Sequence, residues 1–173
     1  MKMNRKLLGA VALFAMFSAF EANAQSSQNI NVTAQVQPTC VINGGGTTLD
    51  FDFGIIDTAL GADVAQSATF TWRCTAGLAV QIELDAGDNV GSDPATARLL
   101  EAGPGNFLQY LLCFDATCTQ PWGDGTTAPD LVTSGSGMGV PVVQTIYGVL
   151  DGTFAQGAVP GSYQETVVLS MNF

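Results

Sequence analysis

The chain of 173 residues contains no histidine. Histidine is the commonest general base and metal ligand near neutral pH, so its absence excludes Ser-His-Asp and Cys-His catalysis. A zinc site would have to be built from cysteines and carboxylates alone. Paired carboxylates such as Asp50 and Asp52 are explained more simply as a solvated strand face. The sequence therefore predicts a protein that is not an enzyme, with no small-molecule substrate, no metal and no other cofactor.

Basic residues are scarce. The chain has five Lys and Arg against 15 Asp and Glu, and three of the five lie within its first six residues. After residue 24 only Arg73 and Arg98 remain against fourteen carboxylates, a formal charge of −12. Such a chain repels phosphate backbones and anionic lipid head groups. Nucleic acid is therefore excluded as a partner.

Only one long apolar run is present, and it covers residues 7–20. It follows the basic start and precedes Ala22-Asn23-Ala24, a small-x-small pattern that signal peptidases cut. The run is short of the roughly 20 apolar residues that a membrane-spanning helix needs. We interpret residues 1–24 as a signal peptide and expect an exported protein. An uncleaved membrane anchor is the alternative.

Four cysteines in an exported chain indicate two disulfides, for which three pairings exist. Cys40 with Cys74 would close a loop of about 35 residues, and Cys113 with Cys118 would close a local hairpin. A crossed pairing stays open. The spacing is not C-x-x-C and no nearby base would activate a thiolate, which argues against a redox-active pair.

Helix-period runs are missing, and period-2 runs are broken by Gly, Pro, Asp and Asn. We expect short strands over residues 28–37, 49–53, 68–74, 80–84, 98–100, 107–114, 131–132, 140–150 and 163–173. Residues 121–139 are predicted to be mostly a long surface loop. Short strands joined by turns are typical of an all-β sandwich of two antiparallel sheets, with a barrel as the main rival.

The first and last strands do not fit an ordinary domain. Residues 28–37 present Ile30, Val32, Ala34 and Val36 on one side, which would be adhesive if left in water. The last strand has no following strand to cover it. The first strand of one copy could therefore fill a gap in the next copy, by donor-strand complementation, and build a filament.

Two alternatives accompany this hypothesis. The first and last strands could belong to one sheet of a self-contained domain. Such a stand-alone secreted sandwich could bind a ligand such as a glycan through loop residues 116–125, where Trp122 is either a loop anchor or an exposed contact. Trp72 shares its strand face with Cys74 and is expected in the core.

Several landmarks together resemble one family. They are Cys40, Phe53-Gly54, Cys74, Val80-x-Ile82-x-Leu84-x-x-Gly87, Arg98-Leu99, Leu108-x-Tyr110-x-Leu112, Trp122-Gly123, Tyr147-Gly148 and Gly161-Ser162-Tyr163. In this order the chain is similar to the spore coat protein U domain family, which includes subunits of archaic chaperone–usher pili. Glu165 stands where the family pattern has Asp, and Phe173 where it has Tyr. The Cys113 and Cys118 pair lies outside the pattern.

The resemblance implies an incomplete immunoglobulin-like antiparallel β-sandwich that a donor strand from another subunit completes. It divides the chain into a signal peptide (1–24), a donor-strand extension (25–38) and a pilin domain (39–173). The implied partners are neighbouring pilin subunits, a periplasmic chaperone and an outer-membrane usher. A single domain with a donor-like strand favours a shaft or adaptor subunit of a pilus that supports adhesion and biofilm formation.

The resemblance also implies roles for individual residues. The donated face would be Ile30, Val32, Ala34 and Val36, and Cys40 and Cys74 would form the family's usual disulfide. The C-terminal strand would border the acceptor groove with Tyr163, Val167, Leu169, Met171 and Phe173.

Overall fold

A computed structural model describes residues 25–46 and 48–173. The predicted signal peptide lies outside the described residues. Within them the chain forms eight strands, a 3-10 turn at Asn43–Gly45 and one four-residue helix. The elements are β1 Cys40–Ile42, β2 Val64–Cys74, β3 Ala79–Leu84, β4 Arg98–Glu101, β5 Phe107–Cys113, β6 Leu131–Ser134, β7 Val142–Leu150, α1 Gly152–Ala155 and β8 Leu169–Asn172.

The strands form two sheets, and every pairing within them is antiparallel. The larger sheet has the order β1-β2-β7-β5-β4, and the smaller has the order β6-β3-β8. The inward side chains of both sheets pack into one core, which includes Phe70, Tyr110 and Ile146 from the larger sheet and Ile82 and Leu84 from the smaller. The predicted all-β sandwich is therefore confirmed.

Alternation of apolar and polar residues located most strands correctly. In β3, Val80, Ile82 and Leu84 are buried while Ala79 and Gln81 are exposed, because successive side chains of a strand point to opposite faces. The strands predicted over residues 68–74, 98–100, 107–114, 131–132 and 140–150 are all present, with bounds that differ by a few residues. Trp72 lies in the core as expected.

The strand predicted over residues 49–53 is wrong, since no ladder pairs this segment. The Asp52 carboxylate accepts a hydrogen bond from the amide of Gly54 at 2.7 Å, and Gly54 has a positive φ of 75°. This turn competes with a straight strand. The two phenylalanine rings of the segment pack against Gly148 and hold the segment in place. A Cβ at Gly148 would lie only 2.6 Å from Cζ of Phe51 and 3.1 Å from Cζ of Phe53.

Three other predictions need correction. The C-terminal strand covers residues 169–172 only, because the amides of Thr166 and Val168 donate to aspartate side chains and not to the backbone of a neighbouring strand. Residues 28–37 form no strand within the part of the chain that the structure describes. The loop at 121–139 is not wholly on the surface, since it buries Trp122 completely and Ala128 almost so.

Both disulfides join the directly predicted partners, Cys40 with Cys74 and Cys113 with Cys118. The first links β1 to β2 where the two residues face each other in the ladder. The second closes the loop that follows β5. Residues 36–173 form one compact unit, and residues 25–35 belong to another.

Candidate functional site

The compact unit contains an apolar groove of about 360 Å³. One wall consists of residues 165–169, which lead into β8, and the other includes Ile42, Thr48, Leu49, Phe51 and Phe53. Its floor is made by inward core side chains, namely Phe70, Leu84, Leu100, Tyr110, Leu112 and Ile146. The groove thus lies beside the smaller sheet and borders the core that both sheets share.

Strand β8 forms an edge of the smaller sheet, where it pairs with β3 only. Just before β8, the amides of Val168 and Thr166 donate to the side-chain carboxylates of Asp85 and Asp88, at 2.9 and 3.1 Å. Because successive amides of an extended chain point in opposite directions, those of Val167 and Leu169 point away from β3. The groove side of this edge therefore presents unpaired backbone groups, as an edge strand does.

The predicted acceptor-edge residues occupy three environments. Val167 and Leu169 line the groove. Met171 packs on the core, with its sulfur 3.4 Å from that of Cys74. Tyr163 lines a second cavity, and Phe173 is 59% exposed.

The second cavity has a volume of about 540 Å³ and continues the groove. Phe51, Phe53 and Leu100 line both spaces. Beyond them the second cavity is bordered by Tyr163 and by residues 158–162. The phenol of Tyr163 donates to the carbonyl of Val159 at 2.8 Å, which fixes the side chain at this end.

Glu165 places a carboxylate among the apolar groups of the groove. It accepts hydrogen bonds from the phenol of Tyr110 and from the hydroxyl of Ser92, the latter at 2.8 Å. Burial raises the pKa of the Glu165 carboxyl above its ordinary value, and these hydrogen bonds oppose that rise. Burial likewise raises the pKa of the Tyr110 phenol. The carboxylate lies against Gly87, where a Cβ would overlap it.

A buried arginine underlies this end of the groove. Arg98, the first residue of β4, has no solvent exposure. Its Nε and Nη2 donate to three backbone carbonyls, those of Leu84, Asp85 and Trp122, at 2.8–3.2 Å. Its Nη1 has no hydrogen-bond partner among the described residues, and burial lowers the pKa of the guanidinium. Arg98 thus joins β3, β4 and the loop after β5.

Sequence reasoning noticed Arg98 only as a landmark of the family and missed its role. One signal was available. Arg98 is one of two arginines after residue 24, and it starts a short apolar strand. A long cationic side chain can be buried in such a position when its N–H groups donate to buried carbonyls.

Trp122 is a loop anchor and not an exposed contact. Its Nε1 donates to the carbonyl of Ile82 at 3.0 Å, and its ring stacks on Phe114 with centroids 4.5 Å apart. The nearby disulfide loop is ordered by Asp115, whose carboxylate accepts from Thr117, Thr119 and Gln120. The hydrogen bond from the Thr117 hydroxyl is the main cause of the lowered pKa of Asp115. A loop built in this way offers no aromatic platform for a sugar.

The predicted donor residues lie in a segment that forms neither helix nor strand in the described part of the chain. Ile30, Val32 and Val36 are 83%, 88% and 79% exposed, and Ala34 is exposed as well. Four apolar residues at alternate positions thus stand in solvent. An apolar row of this kind is a surface that another strand or groove would cover.

Within residues 25–46 and 48–173, no group of three or more Cys, Asp or Glu side chains is arranged to hold a metal ion. None of the helices there has the length and apolarity to cross a membrane.

Comparison with known proteins gives a family, and it gives likenesses to solved structures, of which one is described here. No curated protein matches the chain. A chain in the crystal structure of the CsuC–CsuE chaperone–tip adhesion subunit pre-assembly complex, from the archaic chaperone–usher Csu pili of Acinetobacter baumannii, aligns with 17% identity and a TM-score of 0.49. That alignment covers 80% of this chain and 40% of the other. Residues 26–170 match the Spore Coat Protein U domain, and the chain therefore belongs to the Spore Coat Protein U domain family.

Proposed function

We propose that the protein is a structural subunit, shaft or adaptor, of a cell-surface pilus that polymerises by donor-strand exchange. The observation that carries the proposal is the groove beside β8, which combines an apolar floor of core side chains with an open row of backbone groups at its edge. A strand inserted there would satisfy both at once. The exposed alternating residues 30–36 supply a strand of that kind from a second copy of the chain.

The energetic case is favourable. Burying Ile30, Val32 and Val36 contributes roughly 1.5–3 kcal/mol each before the entropy of ordering is subtracted, and Ala34 adds less. Hydrogen bonds to the edge of β8 add direction and register. Because each copy both donates and receives, the contact is head-to-tail and generates a filament.

Membership of the family supports the remaining parts of the proposal. The resemblance in sequence connects such domains with chaperone–usher pili. A periplasmic chaperone would cover the groove before assembly, and an outer-membrane usher would exchange it for the next subunit. The fibre would then serve adhesion and biofilm formation at the cell surface, without catalysis by the subunit.

The proposal is tested by placing a charge on each face of the donor segment. Val32→Asp puts a carboxylate on the apolar face, and Thr33→Asp puts the same group one residue away on the polar face. Size-exclusion chromatography and electron microscopy of the full chain report the assembly state. We expect open-ended multimers from the parent and from Thr33→Asp, and monomers from Val32→Asp.

A second measurement separates strand exchange from other contacts. A chain lacking residues 25–37 is melted with and without a peptide that spans residues 28–37. A large rise in melting temperature, lost when the peptide carries Val32→Asp or Val36→Asp, is the expected result. A monomeric domain that is already stable and ignores the peptide would contradict the proposal and favour the stand-alone binding sandwich.

A further inference from the structure

The wall of the groove changes character along its length. Val167 and Leu169 are apolar, whereas Glu165 is the one carboxylate among the described residues that line the groove. Hydrogen bonds from Tyr110 and Ser92 hold that carboxylate in place, and Gly87 lies directly against it. The polar position is therefore fixed and does not swing aside easily.

A fixed, partly buried carboxylate discriminates between incoming side chains. A bulky apolar residue placed over Glu165 would remove its remaining water and supply no hydrogen bond in return, which is unfavourable. A small residue leaves room for water beside the carboxylate. Among the four apolar residues of the donor segment, only Ala34 is small.

We propose that Ala34 of a second copy occupies the position beside Glu165 and Tyr110, and that this match sets the register of the intermolecular strand. The inference rests on the proposed strand exchange and specifies which donor residue lies beside which residue of the groove. Ala34 is then a specificity-determining residue, while its three larger neighbours supply most of the apolar contact.

With Ala34 fixed at Glu165, the direction of the incoming strand follows from the sequence. An antiparallel strand puts Val32 beside Val167 and Ile30 beside Leu169, because paired residues advance in opposite directions. It also puts Val36 beside Tyr163, at the second cavity. All four apolar residues then lie along the walls described above.

A parallel strand uses the same residues poorly. It would place Pro38 beside Leu169, and proline has no amide to give to the ladder. It would also leave only Ala34 and Val36 in the groove itself, because Ile30 would lie past Tyr163 at Gly161, a residue of the second cavity. The antiparallel register is therefore the one that the groove and the donor segment share.

This register is testable with cysteine pairs on the outward face, away from the groove. Thr166 and Val168 are exposed, and their amides point toward β3. They therefore occupy the non-hydrogen-bonded positions of the new ladder, where opposite Cα atoms are about 4.5 Å apart. In the proposed register Thr166 faces Thr33, and Val168 faces Asn31 of the second copy.

The full chain is made with Thr33→Cys plus Thr166→Cys, and separately with Asn31→Cys plus Val168→Cys. After mild oxidation, both are expected to give a ladder of covalent multimers on a non-reducing gel. The matched control, Gln35→Cys plus Thr166→Cys, reports a slip of two residues or a parallel strand. It is expected to give at least tenfold less cross-linked product.

Efficient cross-linking of the control pair would overturn the register. So would a failure of either of the other two pairs to cross-link while multimers persist. The Val32→Asp variant keeps this outcome separate from failure of strand exchange. Multimers that Val32→Asp abolishes but that do not cross-link refute the register alone. A chain that never forms multimers refutes the proposed function as well.

The role of side-chain size is tested at the same position. Ala34→Leu is expected to weaken association about tenfold or more, since overfilling a packed site is unfavourable. Ala34→Ser is expected to weaken association far less than Ala34→Leu, because serine is small and its hydroxyl can donate to Glu165. Thr33→Leu, on the other face, is the control, and equal effects of Ala34→Leu and Thr33→Leu would contradict the assignment.

Discussion

Replacement of Arg98 by methionine tests how a buried cation stabilises this sandwich. The guanidinium satisfies the carbonyls of Leu84, Asp85 and Trp122, and none of the side chain is exposed. Methionine fills much of the same space but donates nothing, so three buried carbonyls lose their partner at roughly 1–3 kcal/mol each. Removing a buried charge recovers part of this through desolvation.

The expected net loss is about 3–5 kcal/mol of unfolding free energy. For a chain of this size that corresponds to a fall in melting temperature of roughly 6–20 °C. Thermal and urea unfolding should be measured at several protein concentrations, because self-association would raise the apparent stability. The matched control is Arg73→Met, which removes an exposed arginine from β2 and is expected to change stability by less than about 0.5 kcal/mol.

The comparison of the two arginines shows whether the hydrogen bonds from Arg98 to the backbone carbonyls stabilise the fold. If Arg98→Met were as stable as Arg73→Met, the carbonyl contacts would not contribute to stability. Arg98→Lys refines the result, because lysine keeps the charge but lacks the planar set of donors. It is expected to lie between the parent and Arg98→Met.

Three further predictions follow from features of the compact unit. Removing the Cys40–Cys74 disulfide, with sequence separation 34, should lower the free energy of unfolding by roughly 4 kcal/mol, and removing Cys113–Cys118, with separation 5, by roughly 2 kcal/mol. Chemical denaturation of the two double serine variants measures both losses. A larger loss for Cys113–Cys118 would contradict the loop-entropy argument. Glu165 binds its proton more tightly in the folded state, so its contribution to stability should be complete below the unfolded pKa of about 4.5 and should fall as pH rises through the folded pKa. As pH rises from 4 to 8, roughly spanning that window, the melting temperature of the parent should therefore fall relative to that of Glu165→Gln, and a constant difference would refute the shift. Gly148→Ala should lower stability by about 1–3 kcal/mol, since the new Cβ would lie 2.6 Å from the Phe51 ring; Phe51→Leu in the same chain should relieve the loss, and a neutral Gly148→Ala would show that the ring moves freely.

The parts of the fold that sequence predicts well are those governed by local alternation. β3 and β5 were located because one face of each is buried on the shared core. Residues 49–53 show the same alternation but form no strand, since Phe51 and Phe53 pack over Gly148, nearly a hundred residues away in sequence. Such a contact leaves no periodic signal in the segment itself.

The candidate groove was predicted only in outline. An unpaired last strand suggested an open edge, and Val167 and Leu169 do line the groove. The C-terminal strand is shorter than expected because the side chains of Asp85 and Asp88 replace backbone partners at Val168 and Thr166. Two acidic residues around a turn give no indication of that role, which depends on where a distant segment passes.

Burial of Arg98 leaves Arg73 as the only cationic side chain on the exterior of residues 25–173, against fourteen carboxylates. Copies of such a molecule repel one another as they approach, so ionic attraction contributes little to holding them together. Dissolved salt screens this repulsion. Assembly of the protein is therefore expected to become faster and tighter as ionic strength rises, the reverse of what complexes of oppositely charged partners show.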